Sequence, residues 1–270
     1  MPNGQLWNQQ MQIDASVNYH VKKAADQAFE FDVDGIVGNL VSPELVPTDI
    51  RVTDLRHAQM QLEFHSDGIQ FIAHHSGVQD FENDQDWQPT YDQELIELLK
   101  THIGASEVIV FDHTVRIDDP EAARRPARNV HIDYNRAGAE QRLIDLVGED
   151  EAKDFHAAGY GFVNVWRPVE HVIASSPLGF IRPASVQTDD LMDIGLIYPD
   201  RFGHIVGVAA SHSHEWFFTS GMNPHEAVIF NLYDNRGRPR MAHSALDLPS
   251  DADATVPRKS LESRTVVKYA

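Results

Sequence analysis

A histidine and an aspartate two positions apart on an extended chain offer a nitrogen and a carboxylate to one point in space. The run Ala127-Arg128-Asn129-Val130-His131-Ile132-Asp133-Tyr134 has this arrangement. In a strand successive side chains alternate between faces, so His131 and Asp133 project one way while Val130 and Ile132 project the other. Such a pair supplies two thirds of the 2-His-1-carboxylate face that binds non-haem Fe(II) and leaves positions open for a cosubstrate and O2. By itself the pair is a weak signal, and a third ligand has to come from elsewhere.

His243 is the strongest candidate for that third ligand. It lies in Arg240-Met241-Ala242-His243-Ser244-Ala245-Leu246, a short segment after a polar turn, several strands beyond Asp133. A downstream stretch raises it above its rivals: in Pro257-Arg258-Lys259-Ser260-Leu261-Glu262-Ser263-Arg264, the residues Arg258, Ser260, Glu262 and Arg264 share one face of an extended chain. An inward arginine with a hydroxyl two positions on can grip a carboxylate through a charge-assisted forked contact. The far carboxylate of 2-oxoglutarate needs such a grip when its other end chelates iron. Arg264 is a second candidate for the clamp. Arg167, at the end of an apolar strand, is another, with a structural ion pair as its competing role.

Fifteen histidines make false clusters easy. His225, with Arg236 after it, is the main rival for the distal position, but Asn223-Pro224-His225-Glu226 reads as a turn and the Asp234 to Arg240 stretch as an exposed hairpin tip. His212 and His214 read as strand histidines. His74 and His75, being adjacent, cannot face the same way in a strand. Trp216-Phe217-Phe218 reads as core.

The elements that must position these groups are mainly β. Expected strands are Ser16 to Val21, Ile50 to Leu55, Ile69 to Ala73, Glu107 to Phe111, Phe162 to Arg167, Ile194 to Tyr198, His204 to Val208, Glu215 to Thr219, Ala227 to Tyr233, Arg240 to Leu246 and Ser260 to Tyr269. The Ile50 and Ile69 segments are expected to pair as a hairpin. Helical spacing of Tyr91, Leu95, Leu98, Leu99 and Ile103, with Thr90 before and Gly104 after, predicts a helix from Thr90, and two more are expected over Ala139 to Val147 and Glu149 to Ala158. Many short strands with helices concentrated earlier indicate a mainly β fold with flanking helices, a jelly roll. One domain spanning 1–270 is expected, with 1–50 as an irregular arm wrapping it.

Composition sets the outer limits. At 42% hydrophobic the chain can bury a sizeable core. A formal charge of −19 argues against nucleic acid or an anionic membrane as partner. The absence of cysteine excludes disulfides, thiolate metal sites and a cysteine nucleophile, and leaves histidine and carboxylates to bind metal. No apolar run approaches the ~20 residues of a membrane span. These features fit a cytoplasmic protein acting on a small molecule, alone or as a homodimer.

At these residues the chain resembles the hydroxylase/desaturase family typified by the small 7α-cephem-methoxylase component and the gibberellin desaturase-like enzymes of fungal and bacterial secondary metabolism. The matching stretches include Val108 to Arg116, Arg125-Pro126-Ala127 with Val130-His131-Ile132-Asp133, Asn164-Val165-Trp166-Arg167-Pro168, Leu196 to Arg201, Met222-Asn223-Pro224, His243-Ser244-Ala245 and Pro257-Arg258-Lys259-Ser260. The resemblance covers roughly Arg51 to the C-terminus. It implies a double-stranded β-helix using Fe(II), 2-oxoglutarate and O2, with His131, Asp133 and His243 as ligands and Arg258 with Ser260 as the oxoglutarate clamp. Ala242 and Leu246 depart from the family pattern, so the pocket wall near the metal differs. Two other classes compete: a cupin-like metalloenzyme that uses no oxoglutarate, and a non-catalytic partner subunit. Succinate formed from oxoglutarate separates the first from an oxygenase; absence of the weak metal-to-ligand charge-transfer band when folded protein is titrated anaerobically with Fe(II) and oxoglutarate marks the second.

Overall fold

A computed structural model of the chain describes residues 11–36, 39–56, 61–81 and 86–269. In chain order the strands are β1 (Gln12–His20), β2 (Gln27–Phe31), β3 (Leu40–Val41), β4 (Leu45–Asp54), β5 (Ile69–Ala73), β6 (Ala105–Ile117), β7 (His131–Ile132), β8 (Tyr160–Pro168), β9 (Leu178–Ile181), β10 (Leu191–Ile197), β11 (Phe202–Val208), β12 (Trp216–Phe218), β13 (Glu226–Asp234), β14 (Ala242–Ala245) and β15 (Lys259–Tyr269). They form two sheets, a ten-stranded one in the order β1-β4-β12-β9-β14-β7-β11-β10-β2-β3 and a five-stranded one in the order β5-β13-β8-β15-β6.

From β6 onward the chain passes back and forth between the sheets. β6, β8, β13 and β15 lie in the five-stranded sheet; β7, β9, β12 and β14 are neighbours in the ten-stranded one. This alternation is the winding of a double-stranded β-helix, and it makes the expected jelly roll the observed fold. Between the sheets lies a core that includes Phe162, Trp166, Phe180, Trp216, Phe217, Val228 and Phe230.

A helix from Gln88 to Ile103 covers the outer face of the five-stranded sheet. Its Tyr91, Leu95, Leu98, Leu99 and Ile103 pack on Val163, Val165, Ile229, Leu261 and Val267. It begins two residues before Thr90, with proline in the first turn where a missing N–H is harmless, and ends at Gly104, whose φ of 67° suits glycine. The helices Arg136–Val147 and Glu149–Ala158 come after β7; the Asn135 side chain caps the first by accepting from the Gly138 N–H at 2.7 Å.

The strand expected over Ser16 to Val21 is present and begins earlier, at Gln12: β1 pairs antiparallel with β4 along its whole length and extends the ten-stranded sheet. The Ile50 and Ile69 segments, however, do not form the expected hairpin. β4 pairs with β1 and β12, whereas β5 pairs with β13 in the other sheet. The true partners are remote in sequence, where local turn chemistry carries no information.

Candidate metal centre and anion site

The strand carrying His131 is only two residues long, yet it is clamped on both sides. His131 lies opposite Gly207 of β11 and opposite His243 of β14. Gly207 lets the His20 ring and Ile194 lie against β11, since a Cβ there would meet them at 2.9 and 2.8 Å. Asp133 comes directly after the strand, and parity brings it to the same side as His131. The His131, Asp133 and His243 ligand atoms all lie within 4.8 Å of one another. Asp133 Oδ1 is 3.3 Å from His131 Nε2 and 3.7 Å from His243 Nε2.

The protonation of the two rings is set by their other contacts. His131 Nδ1 is 2.8 Å from the Asn129 carbonyl and His243 Nδ1 is 3.1 Å from the Met241 carbonyl. A carbonyl only accepts, so each Nδ1 donates to its carbonyl and each Nε2 is turned toward Asp133. Three electron-pair donors thus converge, a set that a divalent cation satisfies. Burial, then repulsion from His131, pushes His243 down to about 4, against the pull of Asp133. Burial raises the Asp133 carboxyl, but the His131 hydrogen bond and the charges of His243 and Arg264 outweigh it and hold the group well below the usual carboxylate range.

The outer oxygen of Asp133 is held separately. Asn164 Nδ2 approaches Oδ2 at 3.3 Å and Arg264 Nε lies 3.7 Å from it. Both are anchored by the buried Glu262, which takes Asn164 at 3.1 Å, Arg264 at 2.6 Å and Arg116 at 3.0 Å. Arg264 also pairs with Asp112. Burial would lower this guanidinium, but Glu262, Asp133 and Asp112 together hold it above its ordinary value.

Arg258 is in the opposite condition. It is 2% exposed, and among the described residues it has no carboxylate within ion-pair distance. Its Nε and Nη2 donate to Ser260 Oγ, each at 3.2 Å, and its Nη1 donates to the Ser176 carbonyl. Burial, then repulsion from Arg116, pushes it down to about 9, against the more distant pull of Asp118 and Glu262. A buried cation with free N–H donors and no carboxylate in contact is a prepared anion site. Ser176 fixes its orientation from a strained backbone of φ 47°, held by Arg128 on its hydroxyl, by its own hydrogen bond to Asp118, and by Asp251 on its N–H.

The other sequence candidates fall outside. Arg167 lies opposite Leu261 in the β8–β15 register and projects to the outer face. There it meets His74 Nδ1 at 3.2 Å, the Pro224 carbonyl and the rings of Phe81 and Tyr91. It is not with the cofactor-binding candidates, because one residue of parity separates it from Trp166. His225 is exposed and stacks on His75, and Arg236 sits at an exposed turn. His214 bonds Tyr19 and Asp190. Asn164 and Ser176 are the positions that sequence reasoning missed. A lone amide inside Phe162-Val163-Asn164-Val165-Trp166 was the available sign of the first.

A family model described as the YDMC oxidoreductase/YMDC permease-like domain matches residues 17–268. The chain belongs to this oxidoreductase family. Among curated relatives, the alpha-ketoglutarate-dependent dioxygenase phiK of a fungal species is 30% identical over 82% of this chain and 83% of its own. The hydroxylase/desaturase efuI of Hormonema carpetanum is 28% identical over 94% of each chain. The iron and alpha-ketoglutarate-dependent endoperoxidase NvfI superposes with a TM-score of 0.84 over 97% of this chain and 99% of that one, at 20% identity, which shows the shared fold. These relatives carry the hydroxylase/desaturase part of the sequence resemblance; the methoxylase name is not among them. Among the described residues no helix is long and apolar enough to cross a membrane.

Proposed function

We propose that the chain is an Fe(II)- and 2-oxoglutarate-dependent oxygenase that hydroxylates or desaturates a small molecule of the secondary-metabolite type. The observation that carries this reading is the convergence of two histidine nitrogens and one carboxylate oxygen within 4.8 Å of one another, together with a buried arginine beside the facing sheet that has no carboxylate in contact among the described residues. His131, Asp133 and His243 bind the metal. Arg258 and Ser260 bind the far carboxylate of 2-oxoglutarate. Arg264 and Asn164 hold the outer oxygen of Asp133, so that the inner one faces the metal. Fe(II) with bound oxoglutarate and O2 supplies the oxidant that removes hydrogen from a substrate carbon, releasing succinate and CO2. The protein contributes ligand geometry, a buried cation for the cosubstrate and exclusion of water. A cytoplasmic location and a homodimeric state complete the proposal, to be checked by cell fractionation and sedimentation.

Anaerobic titration of the protein with Fe(II) and 2-oxoglutarate, then admission of air, tests it. A weak metal-to-ligand charge-transfer band and then succinate are expected. Folded protein that binds Fe(II) but consumes no oxoglutarate would instead be a cupin-like metalloenzyme. Oxoglutarate binding without succinate formation would mark a non-catalytic subunit.

A further inference from the structure

The inner face of β8 carries an unexplained donor. Trp166 is 2% exposed and faces Glu262 across the β8–β15 register. Its ring lies under the Arg258 guanidinium, 5.1 Å from the ring centroid. Among the described residues its indole N–H has no hydrogen-bond partner. Buried tryptophans normally satisfy this group, and an orphaned donor costs stability. Trp216 shows the ordinary solution in the same molecule, giving its N–H to Tyr19 Oη at 2.8 Å.

Two incomplete groups therefore stand side by side. Arg258 has five N–H donors, of which three serve Ser260 and Ser176. The remaining donors and the Trp166 N–H lack acceptors, and no described carboxylate pairs with the guanidinium. An anion with oxygens for both would complete them together. We propose that Trp166 is a cosubstrate-binding residue whose indole N–H donates to the same carboxylate that Arg258 grips, so that the oxoglutarate site is an arginine–serine–tryptophan cradle. This rests on the proposed oxygenase reading. It assigns to Trp166 a task that a packing role does not contain: the N–H is left unpaired in the apo protein because a ligand atom takes it.

The sign of the stability effect separates the two roles. Trp166→Phe keeps an aromatic platform for Arg258 and deletes only the donor and part of the ring. Oxoglutarate affinity, measured by equilibrium dialysis with saturating Zn(II) in place of iron, should fall roughly tenfold or more, as expected for loss of a hydrogen bond to a charged acceptor. Zn(II) affinity should be unchanged, and the Tm of the apo variant should equal or exceed that of the wild type. Unchanged oxoglutarate affinity in the variant overturns the inference, as does a loss of affinity accompanied by an equal fall in Zn(II) binding. If wild-type protein with bound Zn(II) takes up no oxoglutarate, the oxygenase reading itself fails.

A second measurement works on the wild type and does not need the variant to fold. In the indole region of a nitrogen-15 spectrum of the Zn(II) protein, one of the four tryptophan N–H signals should move downfield on addition of 2-oxoglutarate and not with 2-oxopentanoate, which chelates but lacks the second carboxylate. Movement with both ligands or with neither overturns the assignment.

Discussion

The two faces of β8 and β15 use the same residue types to opposite ends. On the outer face, beneath the Gln88–Ile103 helix, His113 Nε2 bonds Asp92 at 2.8 Å and its Nδ1 shares a hydrogen bond of 2.8 Å with Ser263. Serine, histidine and aspartate stand in the order of a hydrolase triad, yet Ser263 is fully buried and both ring nitrogens are engaged. Arg167 on this face is enclosed by His74, a carbonyl and two aromatic rings; its Nε and the Tyr91 hydroxyl have no hydrogen-bond partner among the described residues, but they do not converge with any metal-ligand set. On the inner face His131 and His243 keep Nε2 without a protein donor, Arg258 keeps donors without a carboxylate, and Trp166 keeps an N–H without an acceptor. The lesson is that residue type does not mark a site; unsatisfied capacity turned toward one point does.

If this contrast is right, substitutions on the two faces should separate cleanly. The largest effect belongs to His131→Ala or Asp133→Ala, each of which should abolish Fe(II) binding and oxoglutarate turnover; full activity in either would remove the ligand assignment. Next is Arg258→Ala, expected to weaken oxoglutarate binding by about 2–5 kcal/mol, as for removal of one partner from a buried charge-assisted contact, while Fe(II) affinity holds. Arg167→Met should show the reverse, leaving the oxoglutarate KM in place and lowering unfolding stability by about 1–3 kcal/mol through lost hydrogen bonds and ring contacts. A rise in KM for Arg167→Met would break the comparison between faces. Smaller again, Asn164→Ala should weaken Fe(II) binding roughly ten- to a hundredfold, the usual penalty for losing an outer partner of a metal ligand. Dialysis against graded Fe(II) reads that directly.

How far the site was legible depends on which relations are local. His131 and Asp133 could be placed on one side from parity alone, and Arg258, Ser260, Glu262 and Arg264 could be assigned a shared face. His243 was reachable through the arginine and serine downstream of it. Hidden from the sequence is which face of a doubly buried strand looks inward. β8 is buried at every position, so it has no alternation of apolar and polar residues to reveal the orientation, and Arg167 was accordingly grouped with the cofactor residues. The choice between Arg258 and Arg264 was equally hidden. It turns on Glu262, two residues before Arg264 on the same strand, and on Asp112, whose contact with Arg264 depends on cross-strand register between β6 and β15. The jelly roll was visible as many short strands separated by turns, whereas the β1–β4 pairing, made across the intervening β2 and β3, was not.

The outer face also makes a prediction in pH. His74, against Arg167, is pushed down to about 4 from 6.5, first by burial and then by the arginine's charge; Glu94 acts in the other direction, and His102 and His75 add small repulsions. The unfolded chain therefore takes up a proton at His74 near pH 6.5 that the folded chain refuses until about pH 4. Stability contributed by this group is complete above pH 6.5, falls as the pH drops toward 4 and is level below it. Urea unfolding of wild type and His74→Gln at pH 7, 6, 5 and 4.5 should give a shallower acid limb for the variant. Arg167→Met should flatten that limb in the same direction but by less, because burial, the larger cause, persists. Equal slopes in all three proteins would show that neither His74 nor the arginine beside it shapes the acid limb.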